Sequence, residues 1–384
     1  MMFSFLQRGT ATVEIIIVLC FFISFICSVF MLPRIMIISK RKRLYDDPND
    51  RKSHSTAVSR LGGVVFIPSV LIAIFFSTAF LFIIHPFFDS VFKGNTLLEL
   101  LLLLAGSLFL YLVGVKDDLI GVRYRKKFLS QFFVAALFPM AGIYINNFYG
   151  LFGLYEIPVL IGVPLSIIMI VFITNAINLI DGIDGLAGSL ALVAFLTFGV
   201  LFILKGEWIY SMLAFAFVGC ILPFLYYNMF GSSSHGSKLF MGDSGSLSLG
   251  YMLSFFAIKC VMHIPGESLD LYCLIIPVSL LFVPVFDALR VMVVRAVHHK
   301  FIFLADRNHL HHKCLEAGMT HLQSTELVLT FSVILLIVNN WLANICNINI
   351  LLTIDFLLGM GFSKLLNIWI MRRKNQEFFE SDKQ

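Results

Sequence analysis

Asp117 and Asp118 stand side by side at the edge of an apolar run, and Lys126 and Lys127 follow them shortly afterwards. Adjacent carboxylates repel each other and are costly where water is scarce. They are tolerated when a proton or a cation sits between them. A hard divalent ion with oxygen ligands meets that need, and Mg²⁺ commonly brings phosphate with it. A solvated turn between two apolar segments is the plainer account of the pair taken alone.

Four further stretches carry similar chemistry. In NAINLIDGIDGLAG, Asn175 to Gly188, the residues Asn175, Asn178 and Asp181 recur at i, i+3 and i+6. That spacing puts them near one helical face, after which Gly182 breaks the helix and Asp184 and Gly185 open the next. A helix cap accounts for one such residue, not four. Asn228 precedes FMGDSGSLSLG, Phe240 to Gly250, where Asp243 sits in a Gly- and Ser-rich turn expected just before a helix. Backbone N–H groups at a helix start favour an anion such as phosphate, although Asp243 or Ser244 could simply cap that helix. ADRNHLHHKCLEAG carries Arg307, His309, His311 and His312. Three histidines in four residues suit a metal, or they donate to a diphosphate beside a forked Arg307. The second fits better, because the carboxylates already suit Mg²⁺ and imidazole suits that ion poorly. The remaining stretch, DDPNDRKSHSTAVSRLGG from Asp46 to Gly63, is basic and ends in a Gly pair; a solvated basic loop explains it equally well.

The elements that must position these groups are membrane helices. Of 384 residues 59% are hydrophobic and 13% charged, whereas soluble domains carry about 25% charged residues. One soluble core cannot absorb so much apolar sequence, since such cores stop growing near ~250–300 residues. The apolar residues also come in blocks long enough to span a bilayer, which takes about 20 residues. Eleven spans are expected, at about 13–36, 61–84, 97–114, 129–148, 158–178, 185–204, 208–228, 246–264, 271–294, 323–344 and 349–370. The fold class is therefore an all-α polytopic bundle in a single domain, 1–384, with a tail at about 371–384. The first run is too long for the h-region of a cleaved signal, ~7–15 residues. The seven cysteines show no paired spacing, so zinc and a disulfide framework are not expected.

Charge sets the orientation. Lys and Arg crowd alternate loops: Lys40 to Arg60, Lys116 to Lys127, Arg295 to Lys313, and the tail from Arg372. The intervening loops hold little beyond Arg8, Lys93 and Lys205. The positive-inside rule makes the rich loops cytoplasmic, with the N-terminus outside and the C-terminus inside. The net charge of +5 thus needs no nucleic acid. All five chemistry-bearing stretches fall on the cytoplasmic side, whereas structural carboxylates would scatter over both faces.

In this order the five stretches, about 46–312, resemble the polyprenyl-phosphate N-acetylhexosamine-1-phosphate transferases. That family includes the phospho-MurNAc-pentapeptide translocase and the bacterial UDP-GlcNAc:undecaprenyl-phosphate transferases. The span count and orientation look like the GlcNAc-1-phosphate branch. The DRNHLHH loop lacks the pattern associated with the peptidoglycan translocase, which makes a pentapeptide donor the weaker alternative. The resemblance implies transfer of GlcNAc-1-phosphate, or of another UDP-amino sugar's phosphate, to undecaprenyl phosphate at the inner membrane. UMP would leave, and cell-envelope glycan synthesis would begin. It implies a base at Asp117, its neighbour Asp118, a phosphate-binding Lys127, and reaction-centre roles for Asp181 and His309. Asn178 and Asp243 would hold Mg²⁺, with Mn²⁺ as a substitute. Asp184 would read the uracil edge and Phe240 would stack on that ring. Asn175 and Asn228 would contact substrate, and Arg307, His311 and His312 would form the diphosphate or sugar loop.

A transporter or flippase would place its ionisable groups near the bilayer midplane, often in repeats, and the sequence has neither feature. A lipid-binding scaffold has no need of the acidic set. The expected partners are the UDP-sugar, the polyprenyl phosphate and the bilayer; a homodimer stays an open option.

Overall fold

The structure is a computed structural model that describes residues 2–42, 44, 58–84, 94–232, 236–264, 266, 268–299 and 308–381, with the side chains of residues 2–12, 377 and 379–381 left out. It is helical almost throughout. Ten helices among the described residues are long and apolar enough to cross a membrane. In lipid the backbone must satisfy its own hydrogen bonds, and helices do this segment by segment. The chain is thus a multi-pass membrane protein.

The helices are α1 Met2–Lys42, α2 Phe66–Ile84, α3 Thr96–Ile120, α4 Tyr124–Ala135, α5 Leu137–Met140, α6 Val159–Ile180, α7 Leu186–Leu204, α8 Trp208–Phe230, α9 Gly242–Val261, α10 Tyr272–Val297, α11 Leu310–Glu316, α12 His321–Leu342 and α13 Ile348–Ser381. A hairpin of β1 Asn147–Leu151 and β2 Leu154–Glu156 precedes α6, with Asn147 opposite Glu156 and Leu151 opposite Leu154.

Ten of the eleven expected spans are helices of full crossing length among the described residues, and the segment 129–148 is the exception. The segment 129–148 does not form a single long helix: α4 ends at Ala135, α5 covers four residues, and the chain then turns into β1. Pro139 lacks a backbone donor. Gly142 takes a φ of +82°, which ends the helix, and Asn146 and Asn147 lead into the hairpin. The apolar stretch is therefore helical only as far as Met140, where these local breakers stop it.

The chain divides into two compact units. The first comprises Met1–Ile143 and Ala191–Phe255. Within it α1 packs along α8, and α2 packs on both. Small side chains spaced by four on α1 allow the close approach: Ser24 Oγ donates to Ala216 O at 2.6 Å and Ser28 Oγ to Cys220 O at 3.0 Å. Close packing of small residues is how helices associate without a hydrophobic drive from solvent. Phe195 and Phe217 stack in the same core at 4.7 Å.

The second unit comprises Tyr144–Leu190 and Phe256–Gln384. Here α10 packs against α6, α12 and α13, and the short α11 packs against α12 and α13. Asn339 of α12 donates to Ser279 Oγ at 2.9 Å and to Asp355 Oδ2 at 2.8 Å, which ties α10, α12 and α13 together with polar groups. A capping box of Thr320 and Gln323 starts α12.

Candidate active site

In the first unit, the expected Asp117, Asp118, Lys127 and Asp243 come together. Asp117 and Asp118 occupy the last turn of α3, and Lys127 lies in the first turn of α4. Lys127 Nζ bridges two carboxylates, at 3.1 Å from Asp117 Oδ2 and 2.5 Å from Asp243 Oδ1. Burial works against the lysine's charge, but Asp243 and Asp117 more than offset it and hold its pKa above the usual lysine value. Asp117 Oδ1 also accepts from Val122 N at 2.6 Å, which folds the turn between α3 and α4.

Asp243 lies inside the first turn of α9, not in a turn before the helix. The anion that takes up the backbone donors of this helix start is Asp118. Its carboxylate accepts from Asp243 N at 2.7 Å and Ser244 N at 2.9 Å. Gly242 makes this approach feasible. Its φ is +71°, and a Cβ there would lie 2.7 Å from Asp118 Oδ1. The loop ahead of α9 is held by backbone pairing, Phe240 N to Ser59 O at 2.8 Å and Gly62 N to Phe240 O at 2.9 Å. Asn228 is buried and its amide donates to Leu239 O at 2.7 Å, so the side chain expected to meet substrate also tethers this loop. Phe240 is half-buried beside it.

In the second unit, Asn175 and Asn178 lie in the last turns of α6 and Asp181 is its C-cap. The i, i+3, i+6 face therefore exists, although the Asn175 amide turns back to Val171 O at 2.7 Å. Asp184 is buried, with Oδ2 2.9 Å from His321 Nδ1, while its backbone oxygen accepts from Thr325 Oγ1 at 2.7 Å. The start of α12 is thus anchored on the IDGIDG turn.

His309 caps α11, and the rings of His309 and His311 stack at 5.7 Å with 12° between planes. The His312 ring centroid is 4.2 Å from that of His311. His311 lies over Gly182, where a Cβ would meet its Cδ2 at 2.9 Å; glycine is needed there for space. Burial, with His312 adding to it, pushes the His311 imidazole down to about 3. The ring is therefore neutral, and neither nitrogen has a hydrogen-bond partner among the described residues. Buried polar atoms without partners are costly, and His311 Nε2 lies against Gly182 of the turn that carries Asp181 and Asp184. Arg307, like the basic stretch 46–57, lies outside the described residues.

Three residues of this neighbourhood escaped the sequence reading. Asp287 and Arg290 of α10 grip the histidine loop, and His321 holds Asp184. The available signal was the pair Asp287 and Arg290 inside an apolar helix, since ionisable residues in a span are expensive and rarely idle.

The donor set suits a hard cation. Asp117, Asp118 and Asp243 supply only oxygens, and with Lys127 the cluster has a formal excess of two negative charges when all four are ionised. Among the described residues no group of three His, Cys, Asp or Glu side chains is already arranged to hold a metal ion. Lys127 holds the gap between Asp117 and Asp243.

Comparison with known proteins bears on the same residues. Residues 100–261, which include Asp117, Asp118, Lys127 and Asp243, match the model of glycosyl transferase family 4. The chain is 29% identical, over 80% of each chain, to a probable undecaprenyl-phosphate N-acetylglucosaminyl 1-phosphate transferase of Bacillus subtilis (strain 168). It is 28% identical, over 82% of each chain, to the undecaprenyl-phosphate alpha-N-acetylglucosaminyl 1-phosphate transferase of Salmonella typhi. A decaprenyl-phosphate N-acetylglucosaminephosphotransferase of Mycobacterium tuberculosis (strain CDC 1551 / Oshkosh) is 27% identical over 71% of this chain and 69% of its own. Over most of its length the chain is thus similar to proteins named as polyprenyl-phosphate N-acetylglucosaminyl 1-phosphate transferases, and its residues 100–261 match the glycosyl transferase family 4 model.

Proposed function

We propose that the protein transfers N-acetylhexosamine-1-phosphate, in the first place GlcNAc-1-phosphate, from a UDP-sugar to undecaprenyl phosphate. The observation that carries this reading is Lys127 poised between Asp117 and Asp243 at the start of α9. The reaction brings two anions together. An oxygen of the lipid phosphate attacks the β-phosphorus of the UDP-sugar. The bond from that phosphorus to the bridging oxygen breaks, and UMP leaves with the bridging oxygen. The product is a lipid-linked diphosphate sugar.

Positioning and charge cancellation supply most of the catalysis in such a transfer. Lys127 neutralises phosphate charge, and Asp117 accepts any proton left on the lipid phosphate. Asp243 and Asn178 are the groups assigned to Mg²⁺, with Mn²⁺ as a substitute; the bound ion would screen the diphosphate. Asp184 and Phe240 hold the uracil, and His309, His311, His312 and Arg307 the diphosphate or sugar. Asp118 orders the start of α9 and so places Asp243. The bilayer confines the nucleophile, which accounts for a site at the membrane face.

The product begins a cell-envelope glycan at the inner membrane, with the site facing the cytoplasm and the C-terminus inside, as the Lys and Arg asymmetry supports. A C-terminal reporter should read cytoplasmic. Membranes containing the protein, given radiolabelled UDP-GlcNAc and undecaprenyl phosphate, should yield label in a lipid extract and an equal amount of UMP. No lipid-linked label with any UDP-amino sugar would overturn the proposal.

A further inference from the structure

We infer that Asp287 is a positioning residue that sets the tautomer of His309 and, with Arg290, fixes the loop that carries the histidines. The inference rests on the transferase reading for its functional meaning, and on geometry for its structural content.

Asp287 sits in α10 and is 2% exposed. Its Oδ2 lies 2.9 Å from His309 Nδ1. Its Oδ1 accepts from Leu310 N at 3.0 Å and from Arg290 Nη2 at 2.8 Å. Arg290 Nη2 also donates to Asn308 O. Two side chains three apart on one helical face therefore hold three consecutive residues, Asn308, His309 and Leu310.

An ionised carboxylate only accepts hydrogen bonds. The proton of His309 must then sit on Nδ1, which leaves Nε2 as the atom available to a ligand. This is the arrangement by which carboxylates orient a histidine that works on its other nitrogen. The stacked His311 ring follows His309, and it is His311 that lies over Gly182. One carboxylate thus aligns the pair of imidazoles meant for the diphosphate. A purely stabilising role explains the pair poorly, because buried ion pairs are often no better than apolar residues of similar size.

Asp287→Asn discriminates. Its single amide oxygen is claimed by Leu310 N and Arg290, so the NH₂ group turns toward His309 and demands a lone pair on Nδ1. The full-length protein is labelled with ¹⁵N-histidine in detergent micelles, and His309→Gln identifies the His309 signals. Wild type should show His309 protonated on Nδ1, and Asp287→Asn should move that proton to Nε2. Transfer by Asp287→Asn should fall about 10- to 100-fold in kcat, with a smaller change in KM for the UDP-sugar, and Asp287→Glu should restore part of it.

A wild-type His309 protonated on Nε2 alone overturns the inference, and this holds even if the Asn variant fails to fold. A proton that moves with no loss of kcat overturns it as well. A wild-type protein that transfers no sugar phosphate sinks the transferase reading, while the ¹⁵N spectrum still decides the tautomer.

Discussion

Asp118 caps the helix that carries Asp243. Its two carboxylate oxygens take the backbone N–H groups of Asp243, at 2.7 Å, and of Ser244, at 2.9 Å. The two members of the Asp117–Asp118 pair therefore do different work. Asp117 shares Lys127 with Asp243, while Asp118 is spent on holding the start of α9 in place.

Substituting Asp118 should act on stability first. Asp118→Asn loses the charge at the helix start and one of two acceptors, and should cost about 1–2 kcal/mol. The melting temperature in detergent should fall, and activity should fall with it as Asp243 shifts. An Asp118→Asn protein with wild-type melting but no activity would place Asp118 in the chemistry instead.

Lys127→Met removes the cation between Asp117 and Asp243. The expected drop in kcat is about 10²–10³, the size of losing one preorganised electrostatic contact, with Lys127→Arg retaining part. Equal activity in Lys127→Met, measured as UMP release, would rule out phosphate neutralisation by this residue.

Asp243→Asn and Asp184→Ala should separate chemistry from binding. The first should lower kcat, because the metal proposed at Asp243 would act in the transition state. The second should mainly raise KM for the UDP-sugar, because the uracil that Asp184 is proposed to hold does not react. His321→Ala should follow Asp184→Ala, since His321 holds that carboxylate. Loss of kcat in Asp184→Ala with KM unchanged would move Asp184 into the reaction centre.

Activity should vanish in EDTA and return with Mg²⁺ or Mn²⁺. The acidic excess around Lys127 motivates this. Full turnover in chelator would overturn the metal role proposed for Asp243 and Asn178.

His311 should make the fold sensitive to acid. Its pKa is depressed from 6.5 to about 3 in the folded chain. Below pH 6.5 the unfolded chain takes up a proton that the folded chain refuses. Stability is therefore intact above that pH and declines as pH falls toward 3, by at most about 1.4 kcal/mol per pH unit. Melting curves of wild type and His311→Gln should diverge in slope across this window. Parallel slopes would mean that the folded ring takes up protons as readily as the unfolded one.

The membrane helices and the chemistry-bearing stretches could be read from residue types and spacing alone. Helices in lipid satisfy their own backbone, so hydropathy and length suffice to find them. Asn175, Asn178 and Asp181 share a face because their spacing is local, and Asp117 and Asp118 are adjacent whatever the fold does. Local competition was harder to read: Pro139 and Gly142 interrupt and shorten a helix that hydropathy alone extended to residue 148. The partners of these groups came from long-range packing. Asp118 meets the backbone of Asp243 across 125 positions, Lys127 meets Asp243 across 116, and Asp184 meets His321 across 137. No periodicity encodes such pairings, because they depend on which helices pack together. A buried carboxylate must find its donors wherever packing delivers them, and in this chain packing delivered Asp287 to His309.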